Sequence, residues 1–221
     1  MASLEHRKDR LLDPAALRTV VATLLLASFY ASVRYLILGD VRPRNWPLYV
    51  NNKAVSLTAL ALLALSYLSG RTGRRNAGNA VCRNERGKAL GLMGFTLMAA
   101  HALMSLLLLA PSYYPKFFDG DKLNVAGELG LLLGVVSFGC FTVPAIASLP
   151  RAPETLGADR WARAQRVGYW GLAAAALHVL ALGLSGWLDP SSWPGYLPPI
   201  TMISFLIAVT PLLARLVRNN R

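Results

Sequence analysis

The sequence predicts an all-α integral membrane protein, a bundle of six transmembrane helices with both termini cytoplasmic. Three observations predict it. Of 221 residues, 54% are hydrophobic and only 15% charged. Near-uncharged apolar runs of spanning length, roughly 18 residues or more, recur along the chain. Lys and Arg are shared unequally between the two sides that those runs separate.

The spans fall at about 15–38, 53–70, 88–110, 123–148, 164–187 and 197–217. Residues 1–14 and 218–221 are left as short cytoplasmic tails, and no soluble domain is expected at either end. Asp13 and Pro14 open the first span, since an aspartate caps and a proline tolerates the first helical turn. That run is too long for a signal peptide and lacks a small-residue cleavage site, so it is expected to be retained. Pro43 and Pro47 separate the first span from the second, and a basic stretch after Gly70 separates the second from the third. Pro111 and Pro115, Pro150 and Pro153, and Pro190 and Pro194 punctuate the remaining connections. Pro144 and Pro211 fall inside spans and predict kinks, which neighbouring helices accommodate in lipid. Cys82 lies in a polar loop and Cys140 in an apolar helix, so no disulfide is expected and no metal-type cysteine spacing occurs.

The formal charge is +12. One side of the membrane receives Arg7, Lys8, Arg10 and Arg18, then Arg71, Arg74, Arg75, Arg83, Arg86 and Lys88. The same side receives Arg151, Arg160, Arg163 and Arg166, then Arg215, Arg218 and Arg221. Only Arg34, Arg42, Arg44, Lys53, Lys116 and Lys122, 6 of the 23 basic residues, face the other way. The crowded side is cytoplasmic by the positive-inside rule. The charge is thus a topology signal, its partner is the lipid bilayer, and no nucleic-acid partner is expected. A bacterial inner membrane or a plasma membrane is the expected location.

Two of the three histidines sit within apolar runs. His101 ends LGLMGFTLMAAH and His178 ends GYWGLAAAALH. Spans three and five both run outward from the cytoplasm. His101 lies 13 residues past Lys88 and His178 lies 12 past Arg166, roughly 20 and 18 Å above comparable basic anchors. The pair therefore shares a layer in the outer half of the bilayer. Ionisable side chains at that depth face a bundle interior and take a partner. Two imidazoles at one depth meet the requirement for axial ligation of a haem iron, His101 and His178 each giving one nitrogen. A neutral pair donating hydrogen bonds across helices meets the depth match equally. Gly91, Gly94, Gly168, Gly171 and Ala173 to Ala176 leave room for a macrocycle or for close helix packing, and do not separate the two.

The segment RGKALGLMGFTLMAAH from Arg86 and the segment QRVGYWGLAAAALHVL from Gln165 resemble the third and fifth helices of the six-transmembrane epithelial antigen of prostate metalloreductases, within the ferric-reductase-like transmembrane superfamily. SLPRAPETLGADRW, from Ser148 to Trp161, is similar to that family's connection after helix four, and YLPP to its last helix start. The resemblance covers about residues 86 to 200. It implies one haem b on His101 and His178, moving electrons from a cytoplasmic donor to an outer acceptor such as a ferric or cupric chelate. Two-haem relatives carry a second histidine 13 residues earlier on each helix, where this chain has Lys88 and Gln165. With His6 in the tail, a second bis-histidine haem is excluded. The metalloreductase branch fills that inner layer with flavin, so the resemblance implies FAD or FMN near Gln165, Lys88, Arg86 and Arg166. No GxGxxG unit follows a strand. The donor is therefore expected to be a separate cytoplasmic flavin reductase or a quinol.

Arg71, Arg74, Arg75, Arg83, Arg86, Arg163 and Arg166 form a cytoplasmic basic collar suited to a pyrophosphate or an acidic partner, and positive-inside charge explains the same residues. On the outer face, Arg42, Arg44, Lys53, Lys116 and Lys122 suit anionic chelates or are ordinary loop charges. Tyr113, Tyr114, Phe117, Phe118, Trp187 and Trp193 form an interfacial aromatic belt. Glu128 is expected about a turn and a half inside span four, partnered by Lys122 or a ligand imidazole, or snorkelling outward. Arg34 either snorkels or meets a haem propionate. The reading is transmembrane electron transfer through one bis-histidine haem b, alone or as a subunit of a larger membrane complex. The competing reading is a haem-free structural or assembly subunit that keeps the fold.

Overall fold

The computed structural model describes residues 14–72 and 80–219. Six helices long and apolar enough to cross a membrane make up the chain. Helix α1 (Pro14–Ser32) continues through a π-helical turn, Val33–Ile37. A second π turn, Trp46–Val50, leads into α2 (Asn51–Thr72). Then follow α3 (Ala80–Leu107), α4 (Val125–Ala147), α5 (Ala152–Trp187) and α6 (Ile200–Asn219). Between α3 and α4 a two-residue hairpin pairs Phe118 with Leu123 and Asp119 with Lys122. An even number of spans returns the chain to the side on which it began, so α1, α3 and α5 run away from the termini and α2, α4 and α6 run back.

Helix bounds depart from the apolar runs for a physical reason. Hydropathy marks the stretch that lipid accepts, whereas a helix persists as long as its backbone bonds close. Thus α3 begins at Ala80, eight residues before the expected 88, and α5 at Ala152, twelve before the expected 164. At Gly157, with φ of 71° and ψ of 163°, α5 is broken; a left-handed φ is accessible there because glycine has no Cβ. At its far end α3 stops at Leu107, and 108–110 turn instead toward Pro111. Asn124 caps α4, its side chain accepting from the Gly127 N–H at 3.0 Å. Glu128 therefore stands in the first turn of α4, not deeper, and is exposed, its charge complementing the helix N-terminus. Pro144 and Pro211 lie inside α4 and α6 as expected. Asp13, His6, Arg74 and Arg75 fall outside the described residues, as do the side chains of Arg71, Cys82 and Arg83.

Helix α2 is the axis of the bundle. Of its spanning window 61% is buried, against no more than 33% in any other span. Helices α1, α3 and α6 pack on it, and α5 packs on α4 and α6. The outward faces stay apolar: on α1, Leu25, Leu26 and Phe29 are 65%, 70% and 70% exposed. In water such a surface would aggregate; facing lipid tails it needs no cover. This is an integral membrane protein.

Glycines let α2 and α3 approach. A Cβ on Gly94 would lie 3.0 Å from the Leu63 backbone nitrogen and 3.1 Å from the Ala59 carbonyl, both on α2. Ser66 Oγ donates to the Gly87 carbonyl at 2.7 Å across the same seam. Gly94→Val should therefore pry α3 from α2 at a cost of about 1–3 kcal/mol, seen as a lower midpoint of thermal unfolding in detergent, with Ala99→Val as the reference for volume alone.

Candidate functional site

His101 on α3 and His178 on α5 are both half-buried. Each has its Nδ1 engaged by an oxygen of a neighbouring helix. His101 Nδ1 lies 2.7 Å from Asn52 Oδ1, on α2. Asn52 is buried, and its Nδ2 donates to Ser105 Oγ at 3.0 Å, which turns its carbonyl oxygen toward the imidazole. Ser105 Oγ is itself 3.4 Å from His101 Nδ1. His178 Nδ1 lies 2.6 Å from the Gly130 carbonyl, on α4. A carbonyl only accepts, so Nδ1 carries the proton and Nε2 keeps its lone pair. The two imidazoles are near enough to interact electrostatically. Yet α3 and α5, which carry them, scarcely touch.

The glycines named from the sequence answer to packing. Gly91 faces Ser66, Gly94 faces Leu63, Gly168 faces the Tyr67 hydroxyl, and Gly171 faces the Phe141 ring. Different glycines serve the histidine. A Cβ on Gly134 would sit 3.1 Å from His178 Nδ1, so the bare α4 face at Gly134 is what admits that ring, while Gly130 makes room for Leu182. Toward the termini the layer rests on an apolar floor, with Leu60, Leu63, Phe141, Leu172 and Ala176 buried and Phe95 and Met98 packed on them. Phe95 and Phe138 join α3 to α4 with centroids 5.5 Å apart.

On the far side a ring of tyrosines covers the layer. Tyr35, Tyr49 and Tyr114 surround Lys53, with centroids 4.9, 4.6 and 5.6 Å from its Nζ. Burial pushes the Tyr114 phenol up, and a hydrogen bond with Asn52 opposes the shift. Arg34 is buried; its Nε donates to the Pro198 carbonyl at 3.0 Å, which Tyr30 also binds at 2.5 Å. That carbonyl belongs to the YLPP segment, so Arg34 ties α1 to the start of α6 instead of reaching the surface. Trp187 Nε1 donates to Thr201 Oγ1 and Trp193 Nε1 to the Gly186 carbonyl, bracing the connection between α5 and α6. Glu128 has no ion-pair partner among the described residues, and neither Lys122 nor an imidazole bonds it.

The residues named for an inner layer do not converge. Gln165 Nε2 donates to the Pro144 carbonyl and to Ser148 Oγ, at 3.3 and 3.1 Å. Arg86 reaches Thr19 Oγ1 on α1, and Arg166 bonds back to the Ala162 carbonyl of its own helix. Lys88 is half-buried on α3. An apolar groove of about 590 Å³ between α4 and α5, lined by Val143, Ile146, Leu149 and Leu156 among others, includes none of the four. Sequence reading missed Tyr67, whose hydroxyl donates to the Gln165 carbonyl and whose ring meets Tyr169 and Phe141. It also missed Asn52, although an amide at the mouth of a span was a visible signal.

No family model matches the chain. It is 25% identical over 251 residues to the metalloreductase STEAP3 of Rattus norvegicus, an alignment covering 93% of this chain and 49% of the rat protein. The chain fits a STEAP-like transmembrane domain. It spans about half the length of that curated relative. The match extends over most of the chain, including spans that by themselves carried little likeness, and the six apolar helices agree with it. Asn52, buried and 2.7 Å from His101 Nδ1, is the polar side chain that α2 gives to the histidine layer. Asn52→Leu should strand the His101 Nδ1 proton and cost about 1–3 kcal/mol, whereas Asn52→Asp should restore an acceptor; thermal unfolding of the two variants in detergent compares them.

Proposed function

We propose that this chain carries single electrons across a bilayer through one haem b ligated by His101 and His178, delivering them to a metal chelate or another acceptor on the outer side. The observation that carries the reading is the state of the two imidazoles. With each Nδ1 proton taken by a neighbouring helix, each Nε2 offers the lone pair that an axial ligand needs, in a fixed tautomer. The donor set therefore fits a bis-histidine haem. The slight contact between α3 and α5 supports the fit, since a flat group needs separation between its two ligands' helices. The likeness to a metalloreductase supports a redox role with a cofactor of the haem or flavin class.

A bound haem supplies reversible one-electron chemistry at iron. The chain's own residues bind, orient and insulate. Asn52 and the Gly130 carbonyl orient the rings and raise their basicity as ligands. The floor of Leu60, Phe141, Leu172 and Ala176 keeps water from the layer on the termini side, lowering the local dielectric. The outer tyrosine and lysine ring covers it opposite.

The charge asymmetry supports both termini being cytoplasmic. On that side the exposed Arg86, Arg163 and Arg166 offer a basic face to a separate flavin reductase, to a quinol at the membrane surface, or to a neighbouring subunit of a larger complex. Because Gln165 is bonded to α4, Arg86 to α1 and Arg166 to its own helix, no step is assigned to a bound FAD or FMN.

The protein purified from haem-replete cells should show a reducible, low-spin, six-coordinate haem spectrum, and His101→Ala or His178→Ala should abolish it while the helical circular dichroism persists. A stable, colourless wild type would overturn the proposal. Cysteines introduced singly at Ser3 and Asn220 should label with an impermeant maleimide only after the membrane is opened; labelling of intact cells would reverse the assigned orientation.

A further inference from the structure

Lys53 carries an ammonium that is enclosed beside the histidine layer. It follows Asn52, the residue that holds His101, and it interacts electrostatically with that imidazole. Three phenol rings cover the ammonium. Aromatic faces stabilise a cation without neutralising it, unlike a carboxylate. No carboxylate lies within ion-pair distance among the described residues, and the charged groups closest in effect, Arg34 and Lys116, are cations as well. Both are fixed: Arg34 to the Pro198 carbonyl and Lys116 Nζ to the Leu182 carbonyl at 3.2 Å. A lysine at a membrane boundary ordinarily snorkels to water or finds an acid. Here the chain places it against the site and surrounds it with rings.

We infer that Lys53, in its protonated form, poises the His101–His178 site for reduction, acting as a positive charge on its outer side that no described carboxylate offsets. The inference rests on the haem reading above. Each electron accepted between the two imidazoles, from the cytoplasmic donor, adds one unit of negative charge to a region of low dielectric. A cation held nearby stabilises that reduced state relative to the oxidised one. Because the ammonium is part of the covalent chain and the rings hold it, it needs no rearrangement as the electron arrives. Lys53 is thus a positioning residue: it ligates nothing, and its influence passes through the field.

Optical redox titration of the purified, haem-loaded protein at pH 6, with the Lys53 ammonium protonated, tests this directly. Lys53→Met should displace the one-electron equilibrium at least tenfold toward the oxidised form, a midpoint lower by about 59 mV or more. Lys53→Arg, which keeps the charge, should stay within twofold of wild type, with the same six-coordinate spectrum. Lys53→Gln serves where the methionine variant does not fold, and should shift as methionine does. A haem-loaded Lys53→Met or Lys53→Gln with an unshifted midpoint would overturn the inference while leaving the haem reading intact. So would an arginine variant shifted as far as the neutral ones, since shape and not charge would then be responsible. A colourless wild type would instead remove the haem reading, and this inference with it.

Discussion

Everything in the histidine layer depends on one constraint: a polar hydrogen inside a bilayer must find its acceptor within the protein. His101 and His178 each carry such a hydrogen on Nδ1, and each finds an oxygen on the helix beside it. The two solutions differ in kind. His101 uses a side chain, Asn52, whose amide is steadied in turn by Ser105. His178 uses main chain, and a main-chain carbonyl already bonded along its helix is reachable only where no side chain stands in the way. Gly134 clears that way. A polar requirement on α5 is thus met by the absence of atoms on α4.

The same arrangement explains why α2 lies at the centre. It supplies Asn52 and Lys53 at the end away from the termini, Leu60 and Leu63 beneath the layer, and Ser66 and Tyr67 toward the termini. One helix therefore touches every storey of the bundle. Its burial follows from that role, since a helix serving neighbours on three sides leaves little face for lipid. The outer helices show the opposite economy, with α1 turning Leu25, Leu26 and Phe29 outward and the chain around it meeting Pro198 through Tyr30 and Arg34.

Much of this was legible in the sequence, and the part that was not has a common cause. Six spans follow from hydropathy because lipid enforces composition residue by residue. The depth match between His101 and His178 follows from counting, because a helix rises at a constant rate. Contacts between helices obey no such local rule. Gly91, Gly94, Gly168 and Gly171 were visible as small residues, but whether Ser66, Leu63, Tyr67, Phe141 or a cofactor fills each space is decided by chain segments far away. Glu128 was placed too deep because the run beginning at residue 123 includes a hairpin strand that hydropathy alone does not separate from the helix. Arg34 was read as snorkelling outward or meeting a haem propionate because nothing near it in sequence reveals that the Pro198 carbonyl arrives from the opposite end of the chain.

The break at Gly157 has a geometric consequence. Beyond it α5 continues without a glycine-type interruption to Trp187, so Arg160, Arg163, Arg166 and His178 ride on a single stiff rod. Along such a rod the twelve residues from Arg166 to His178 measure roughly 18 Å whatever happens at the surface. The five residues ahead of Gly157 lie on the other side of that break and take a direction of their own. The rod then works as a ruler: whatever grips its arginines is held at a set range from the imidazole, and because electron tunnelling weakens steeply with distance, that range fixes how directly a surface partner feels the site.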